Sequence, residues 1–466
     1  MFHCREKELR ELNERYANGK FECMVIYGRR RVGKTALISE FCKDKPTVFF
    51  SALKSTSKEN LEALSLAVYA KDYPDAVTSP IYRSYDEALA DITRMAESER
   101  IVFVIDEYPY LAKAEPAMSS RLQHIIDKVW QNGKLFLILC GSSVSFMEHQ
   151  VLGSESPLYG RRTGQIKMKA LSYKEICVFN PALTNENQAL VYGITGGIPH
   201  YINKLDVKKS IDEALKKNLF NTSAYLFEEP ENLLKQELRE PAVYNTIISA
   251  IAGGASKVNE ISTKSGLPTD VCSKYMKVLI ELGIISKDTP ITEKPGKKTV
   301  YRIGDNFFRF WYRFVPMQLS AISAGHIDRI YDAVIKDRLS DYMGPIFEQM
   351  CRVYLLDHFD DLPILLSDVG EWWGTDAKKK KEVQIDIVGT PAEGDVYIIG
   401  SCKYRNTAVG VDELELLKEY ASVFGKGSKY YYYIFSKGGF TEGLKKAAED
   451  EDVTLVTLDD MYGDNK

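Results

Sequence analysis

The chain lacks any apolar run near the ~18 residues that a membrane-crossing helix needs, which argues against a membrane span or a membrane partner. It also lacks a C-x-x-C pair. Its eight cysteines (Cys4, Cys23, Cys42, Cys140, Cys177, Cys272, Cys351 and Cys402) are scattered, with no zinc-like spacing. Several fall inside apolar strand or helix patterns, which points to reduced core thiols rather than a disulfide framework. No excess charge of one sign is present either. A net charge of −4 over 466 residues exerts no global pull on nucleic acid, so any such contact must come from a local patch. The first residues, MFHCREKELRELNERY, lack the apolar stretch of a signal peptide and read as a charged helix. These absences predict a cytoplasmic protein. The remainder is ordinary globular composition, 45% hydrophobic and 27% charged, long enough for about three domains.

The stretch FECMVIYGRRRVGKTALISEF (21–41) stands out. Gly28, four further residues and Gly33-Lys34-Thr35 fit the phosphate-loop pattern G-x-x-x-x-G-K-S/T. Met24 to Tyr27 read as a buried strand, and Ala36, Leu37, Ile38 and Phe41 as the apolar side of a following helix. Glycines let the backbone N–H groups and the helix N-terminus point at a polyphosphate. Gly28, Arg29, Arg30, Arg31, Val32, Gly33, Lys34, Thr35 and Ala36 are therefore the candidate nucleotide-binding residues. Lys34 is expected on the β- and γ-phosphates, and Thr35 in the shell of a magnesium ion. The alternative is an ordinary glycine turn.

Ile101 to Ile105 read as a buried parallel strand ending in two carboxylates, Asp106 and Glu107. The carboxyl end of such a strand is where α/β sheets bind ligands. Asp106 suits the magnesium shell, and Glu107 suits a general base for an attacking water. A further strand, Leu135 to Cys140, ends in Gly141-Ser142-Ser143. The Ser142 hydroxyl is a candidate γ-phosphate sensor or holder of the lytic water, with a helix N-cap as the alternative. Arg161 and Arg162 are candidates for an arginine finger, or are surface charges. The helix over Glu6 to Tyr16 places Phe2 and Arg5 where they would cover a base, unless that helix serves packing alone.

VYGITGGIPHY (191–201) adds a glycine-proline break after an apolar helix pattern. With FHCREKEL, GRRRVGKT, VFVIDE, LCGSS and LYGRR, it resembles the AAA+-related STAND NTPases, in particular the archaeal-type ATPase family. The resemblance covers roughly the first half of the chain. It implies that Phe2 and Arg5 flank the nucleotide, that Pro199 packs against adenine, and that the nucleotide acts as a switch with slow hydrolysis.

Between 242 and 303 the pattern becomes short helices, a Ser265-Gly266-Leu267 turn and a hairpin whose tip is Glu293 to Lys298. This is a helix-turn-helix with a wing. Val271, Tyr275, Val278, Leu279 and Leu282 are expected on the buried side of its second helix, with Lys274 and Lys277 off it as candidate DNA contacts. Nine basic against five acidic side chains make the segment locally positive, which favours phosphate-backbone contact. A purely structural winged helix is the alternative.

Asp305 to Pro316, DNFFRFWYRFVP, reads as a capped helix with an aromatic core stripe. A helix near Gly344 to Phe359 carries Glu348; Gln384 to Val388 and Ile398 to Lys403 read as adjacent strands, and Tyr430 to Phe435 as a further core strand. Alternation places Asp386 on one face of its strand, and Ser401 and Lys403 together on one face of the next. This arrangement is similar to PD-(D/E)XK nucleases and to the DUF234 domain usually fused to this ATPase. In such nucleases an acid on one strand and an acid-x-Lys on the next hold magnesium and activate water. Ser401 stands where the pattern calls for Asp or Glu, so the site (Asp386 for metal, with Glu348, Ser401 and Lys403) reads as degenerate. A salt bridge from Asp386 to the Lys378–Lys381 run is the structural alternative.

The sequence thus predicts an α/β P-loop NTPase with an AAA+/STAND-like parallel sheet over 1–170 and a helical lid over 171–238. A winged helix over 239–304 and a restriction-endonuclease-like α/β domain over 305–466 follow. The expected function is a Mg2+-dependent ATP-binding and ATP-hydrolysing switch that binds DNA and forms a nucleotide-dependent homo-oligomer. An ATP-controlled DNA-processing nuclease is the alternative.

Overall fold

The computed structural model describes residues 3–463. The chain divides into two compact units, one running to residue 171 and including 198–200, the other comprising 172–197 and the chain from 201 onward. Among the described residues, no helix is long and apolar enough to cross a membrane.

The first unit is built on β1 (Glu22–Tyr27), β2 (Thr47–Ser51), β3 (Val102–Asp106), β4 (Phe136–Gly141) and β5 (Gly164–Lys167). Their order is β2-β3-β4-β1-β5, and every pairing is parallel. β1, β3 and β4 are buried at every position, as parallel strands covered on both faces should be. Alternate residues of these strands (Val25, Phe103, Ile105, Leu137, Leu139) join Leu64, Leu89, Leu122 and Trp130 in one core. The chain leaves β1 for β2, two strands beyond its neighbour β4, so the strand order reverses beside the carboxyl end of β1. That is where open α/β sheets bind ligands.

The second unit holds a two-stranded antiparallel hairpin, β6 (Ile285–Asp288) with β7 (Val300–Ile303), preceded by helices Pro241–Ala252, Val258–Ser265 and Thr269–Glu281. Helix Thr269–Glu281 buries Cys272, Met276 and Leu279. This differs from the expected stripe, which shares only Leu279. Tyr275 is held at the rim, where its hydroxyl donates to Glu240 and its ring meets Tyr244 edge-on at 4.8 Å. The aromatic helix Asn306–Phe314 follows, capped by Asp305, which accepts from the Phe308 amide at 2.7 Å. Phe307, Phe308, Phe310, Tyr312 and Phe314 are buried, so the stripe is core.

A mixed sheet completes this unit: β8 (Leu366–Asp376), β9 (Lys381–Pro391), β10 (Val396–Lys403), β11 (Lys429–Ser436) and β12 (Val453–Thr457). β8, β9 and β10 are antiparallel, while β10, β11 and β12 are parallel. The parallel crossover after β10 is helix Val411–Phe424, which buries Leu414, Leu417, Ala421 and Phe424 against the sheet core. Helix Leu339–Asp357, which carries Glu348, begins five residues before the expected segment. Elsewhere in the unit, the Tyr173 hydroxyl donates to the Met461 carbonyl at 3.1 Å, its ring meets Tyr462 edge-on, and Asn185 donates to Asp459 at 2.8 Å.

Candidate functional site

The loop after β1 is shaped by its glycines. At Gly28, φ is +151°, and a Cβ would lie 2.3 Å from the Met168 carbonyl oxygen, so no side chain fits there. Gly33, at φ +98°, precedes helix Lys34–Cys42 and offers its first-turn amides no side-chain acceptor, which leaves them for an anion. Lys34 is buried, and its Nζ donates to the carbonyls of Gly28 at 2.8 Å and Arg29 at 3.0 Å. Burial pushes its ammonium below the ordinary lysine value. Arg29, Arg30 and Arg31 are half-buried, Val32 is buried, and Thr35 and Ala36 are exposed. Arg30 reaches the Tyr110 hydroxyl. Arg5 is buried and donates to the carbonyls of Val32 at 3.3 Å and Lys169 at 2.6 Å, so its guanidinium braces the loop. Phe2 lies outside the described residues.

A chain of hydrogen bonds joins the other predicted residues. The Thr35 hydroxyl donates to Asp106 Oδ2 at 3.0 Å, and Asp106 Oδ1 accepts the Glu107 amide at 2.9 Å. Glu107 Oε2 accepts the Ser142 hydroxyl at 2.9 Å and its amide at 3.3 Å. Glu107 also takes the left-handed backbone conformation, φ +50°, uncommon for a side chain of its kind. Ser142 therefore holds the candidate base and is not a helix cap; Ser143 occupies the cap position. Cys140, unassigned by sequence reasoning, shares a hydrogen bond with Asp106, and burial holds its thiol well above the usual range.

The arginines and Pro199 are placed differently from one another. Arg161 binds Asp127 through two nitrogens, at 3.0 and 2.9 Å, and so is committed within its own chain rather than free as a finger. A planar guanidinium meeting a carboxylate in this two-pronged way satisfies both groups. Arg162 is exposed. Pro199 is half-buried and opens helix Pro199–Leu205 in a tripeptide that groups with the first unit.

The residues fit magnesium and a nucleotide triphosphate. The Lys34 ammonium is held by two backbone carbonyls that phosphate oxygens would replace, and the two candidate magnesium ligands, Thr35 and Asp106, already touch.

In the second unit, Lys274 and Lys277 are both exposed on helix Thr269–Glu281. Lys257 is not free for DNA, because its Nζ donates to the carbonyls of Lys297 and Thr299 on the hairpin. Lys298 pairs with Glu293 at 2.7 Å.

The mixed sheet gathers the remaining predicted residues. The β9–β10 ladder ends at Gly400 opposite Ile387, and beyond it Asp386 Oδ2 accepts the Cys402 amide at 2.9 Å. Asp386 thus turns to β10 rather than to the Lys378–Lys381 run, whose Lys378 and Lys379 amides donate to Asp376. Ser401, Lys403 and Asp386 do lie together, but a residue missed by sequence reasoning joins them. Glu413 Oε1 accepts the Ser401 hydroxyl at 2.7 Å and lies 3.0 Å from Lys403 Nζ. Burial works against the Lys403 charge, but Asp386 and Glu413 outweigh it and hold the ammonium above its ordinary value. Burial and then the Asp386 charge push Glu348 up to about 7. Arg352 Nη1 donates to the Asp386 carbonyl at 3.0 Å. The only sequence signal for Glu413 was an acidic residue early in the helix after β10.

The chain is similar to several known proteins. A family described as an ATPase domain predominantly from Archaea matches residues 2–205, and DUF234, described as archaeal and bacterial proteins of unknown function, matches residues 311–415. The uncharacterized protein MJECL04 of Methanocaldococcus jannaschii is 34% identical over 466 residues, covering 99% of this chain and 100% of its own. An uncharacterized ATP-binding protein of the same organism is 44% identical over 45 residues, 10% of this chain and 76% of its own. The Walker-type ATPase of Pyrococcus abyssi superposes with a TM-score of 0.52 at 19% identity, over 67% of this chain and 96% of that one, a likeness of fold. The phosphate loop, the paired carboxylates and the full-length relative lead to one conclusion: the chain belongs to the archaeal-type P-loop ATPase family and carries a DUF234 domain after its ATPase domain.

Proposed function

We propose that this protein is an ATP-hydrolysing regulatory switch whose nucleotide state governs a DNA-binding second unit. The observation that carries the reading is the continuous hydrogen-bonded path Thr35–Asp106–Glu107–Ser142 beside a buried Lys34. Lys34 and the first-turn amides bind the phosphates, while Thr35 and Asp106 would hold magnesium. The ion, when bound, neutralises phosphate charge. Glu107 takes the proton of a water, and Ser142 orients Glu107 by its hydrogen bond. In this reading turnover is slow, because Glu107 must give up part of its bond to Ser142 to meet the water. Arg162, exposed, is the arginine available to a neighbouring copy, and this supports a nucleotide-dependent homo-oligomer.

Helices Pro241–Ala252, Val258–Ser265 and Thr269–Glu281 with the β6–β7 hairpin are read as a winged helix. Lys274 and Lys277 would meet the phosphate backbone. With Ser401 in place of a strand acid, the switch reading asks no cleavage of the C-terminal domain.

Turnover of ATP by wild type and Lys34→Ala, together with sizing of both with and without a non-hydrolysable ATP analogue, tests the proposal. Nucleotide-dependent assembly and turnover in wild type alone support it. Equal turnover in the two proteins overturns it.

A further inference from the structure

The β6–β7 hairpin does not project from the fold as a free wing would. The Ile291 amide, in the loop after β6, donates to the Glu371 carbonyl on β8 at 2.8 Å. Trp373 Nε1, also on β8, donates to the Lys298 carbonyl at 3.2 Å, and Arg302 on β7 meets the Glu371 carboxylate. Lys426, just before β11, donates to the Thr292 hydroxyl at 2.6 Å. Lys257 holds the returning side of the loop through the Lys297 and Thr299 carbonyls. Tied down in this way, the hairpin is one wall of a groove, and β8 with β9 is the other.

Two clefts of about 540 and 710 Å3 make up this groove, and Ser256, Arg302 and Gln384 line both, so the two are continuous. Seven basic side chains against four acidic ones line them. Arg302 is answered by Glu371 and Asp288, and Lys298 by Glu293. Lys297 in the smaller cleft and Arg313 in the larger are exposed and have no acidic partner among the described residues. Arg309, in the larger cleft, donates twice to the Ile303 carbonyl, at 3.0 and 2.6 Å, yet its Nη1 is buried with no acceptor. A guanidinium left short of an acceptor favours an anion, and its planar fork matches phosphate.

Cations alone would suit any polyanion, and Trp373 narrows the choice. Trp372 enters the core against Phe424, so Trp373, next along β8, faces the opposite side of the sheet, where it lines the smaller cleft. The Arg302 guanidinium lies over its ring, 5.4 Å from the centroid. An aromatic ring and a guanidinium plane are surfaces on which unpaired bases stack, while a basic groove beside them tracks the backbone. Bases stacked inside a duplex keep those faces covered, so a single strand suits the groove and a duplex does not. We propose that the groove between the β6–β7 hairpin and strands β8 and β9 binds single-stranded DNA, its phosphates on Lys297, Arg309 and Arg313 and a base on Trp373. This surface is additional to Lys274 and Lys277, which line neither cleft, and it rests on the switch reading only in that the second unit binds DNA. Binding there requires no metal ion and breaks no bond.

The test follows, by fluorescence anisotropy, binding of the full chain without ATP to a labelled oligo-dT strand of about 20 nucleotides, longer than a usual single-strand site. Wild type should bind the strand, and a molar equivalent of unlabelled duplex should not displace it. Trp373→Ala should weaken strand binding roughly 5- to 150-fold, while Trp373→Phe, which keeps a ring for stacking, should retain most of the affinity. A tryptophan needed only for its bond to the Lys298 carbonyl would fail equally in both. Lys297→Glu with Arg313→Glu should flatten the dependence of log K on log salt by about 1.4, and Lys274→Glu with Lys277→Glu should leave that slope unchanged for the strand. Should Trp373→Ala fail to fold, the exposed Lys297 and Arg313 pair carries the test alone. A slope moved by Lys274 and Lys277 but not by Lys297 and Arg313, or displacement by duplex, overturns the groove and leaves the DNA-binding reading in place. Binding of neither strand nor duplex overturns both.

Discussion

Glu107→Gln separates proton abstraction from everything else the ATPase site does. Glutamine keeps the side-chain length and the backbone at φ +50°, so any strain of that left-handed conformation is common to both proteins. Its amide oxygen still accepts the Ser142 hydroxyl that the carboxylate accepts at 2.9 Å. A hydrogen bond to a charged acceptor is worth about 1.5–3 kcal/mol, and a neutral one about half as much. The folded protein should therefore lose only about 1 kcal/mol. Removing a general base costs about 10²- to 10⁴-fold in rate, or roughly 2.7–5.4 kcal/mol of barrier. The kinetic effect exceeds the structural one severalfold, and the two are measurable apart. In single-turnover hydrolysis with bound nucleotide recovered by filtration, the variant should retain ATP at near wild-type affinity and release almost no phosphate. Thermal unfolding should move by a few degrees at most. Wild-type hydrolysis by a correctly folded variant would refute the assignment of Glu107 as the base.

Arg5→Ala leaves the Val32 and Lys169 carbonyls without their donor. It should cost about 1–3 kcal/mol for each group that water does not reach, seen as a lower urea midpoint together with weaker binding of a fluorescent ATP analogue. Arg162→Ala should leave thermal stability unchanged and lower turnover about 10³-fold or more if Arg162 serves as a finger; Arg161→Ala should instead lower thermal stability only slightly, through the solvent-screened Asp127 pair. Replacing Lys274 and Lys277 together by Glu should flatten the dependence of log K for DNA on log salt by about 1.8, read by fluorescence anisotropy at several salt concentrations. An unchanged slope would remove both lysines from the interface.

The parts of the site that were legible in the sequence are those whose chemistry is local. Gly28 to Thr35 are contiguous in the chain, and Asp106 ends, and Glu107 directly follows, a strand whose burial shows as an unbroken apolar run. What escaped is set by contacts between distant elements. Glu413 was unmarked because nothing in the sequence says that its helix folds back over β10 to reach Ser401. Asp127 was unmarked for the same reason, and its bond to Arg161 converts a candidate finger into an internal tie. The buried side of helix Thr269–Glu281 was misread because two sulfur-bearing residues, Cys272 and Met276, fill it while more obvious apolar residues lie half-exposed. β8 carries Ser, Asp, Gly and Glu among its residues and a register shift against β9, so strict alternation never develops.

The bond between Tyr173 and Met461 joins positions 288 residues apart. In a chain growing from a ribosome at about 5–20 residues per second, Tyr173 would wait roughly 15–60 s for that acceptor to be made. The first unit is complete, apart from 198–200, long before then. The second unit cannot close until its far segment emerges, and through that interval Tyr173 lacks the Met461 carbonyl and the Tyr462 ring that meet it in the finished protein. Synthesis therefore yields a folded ATPase tethered to an open second unit, and the folding of this protein should depend on translation speed and on chaperones that shield that interval.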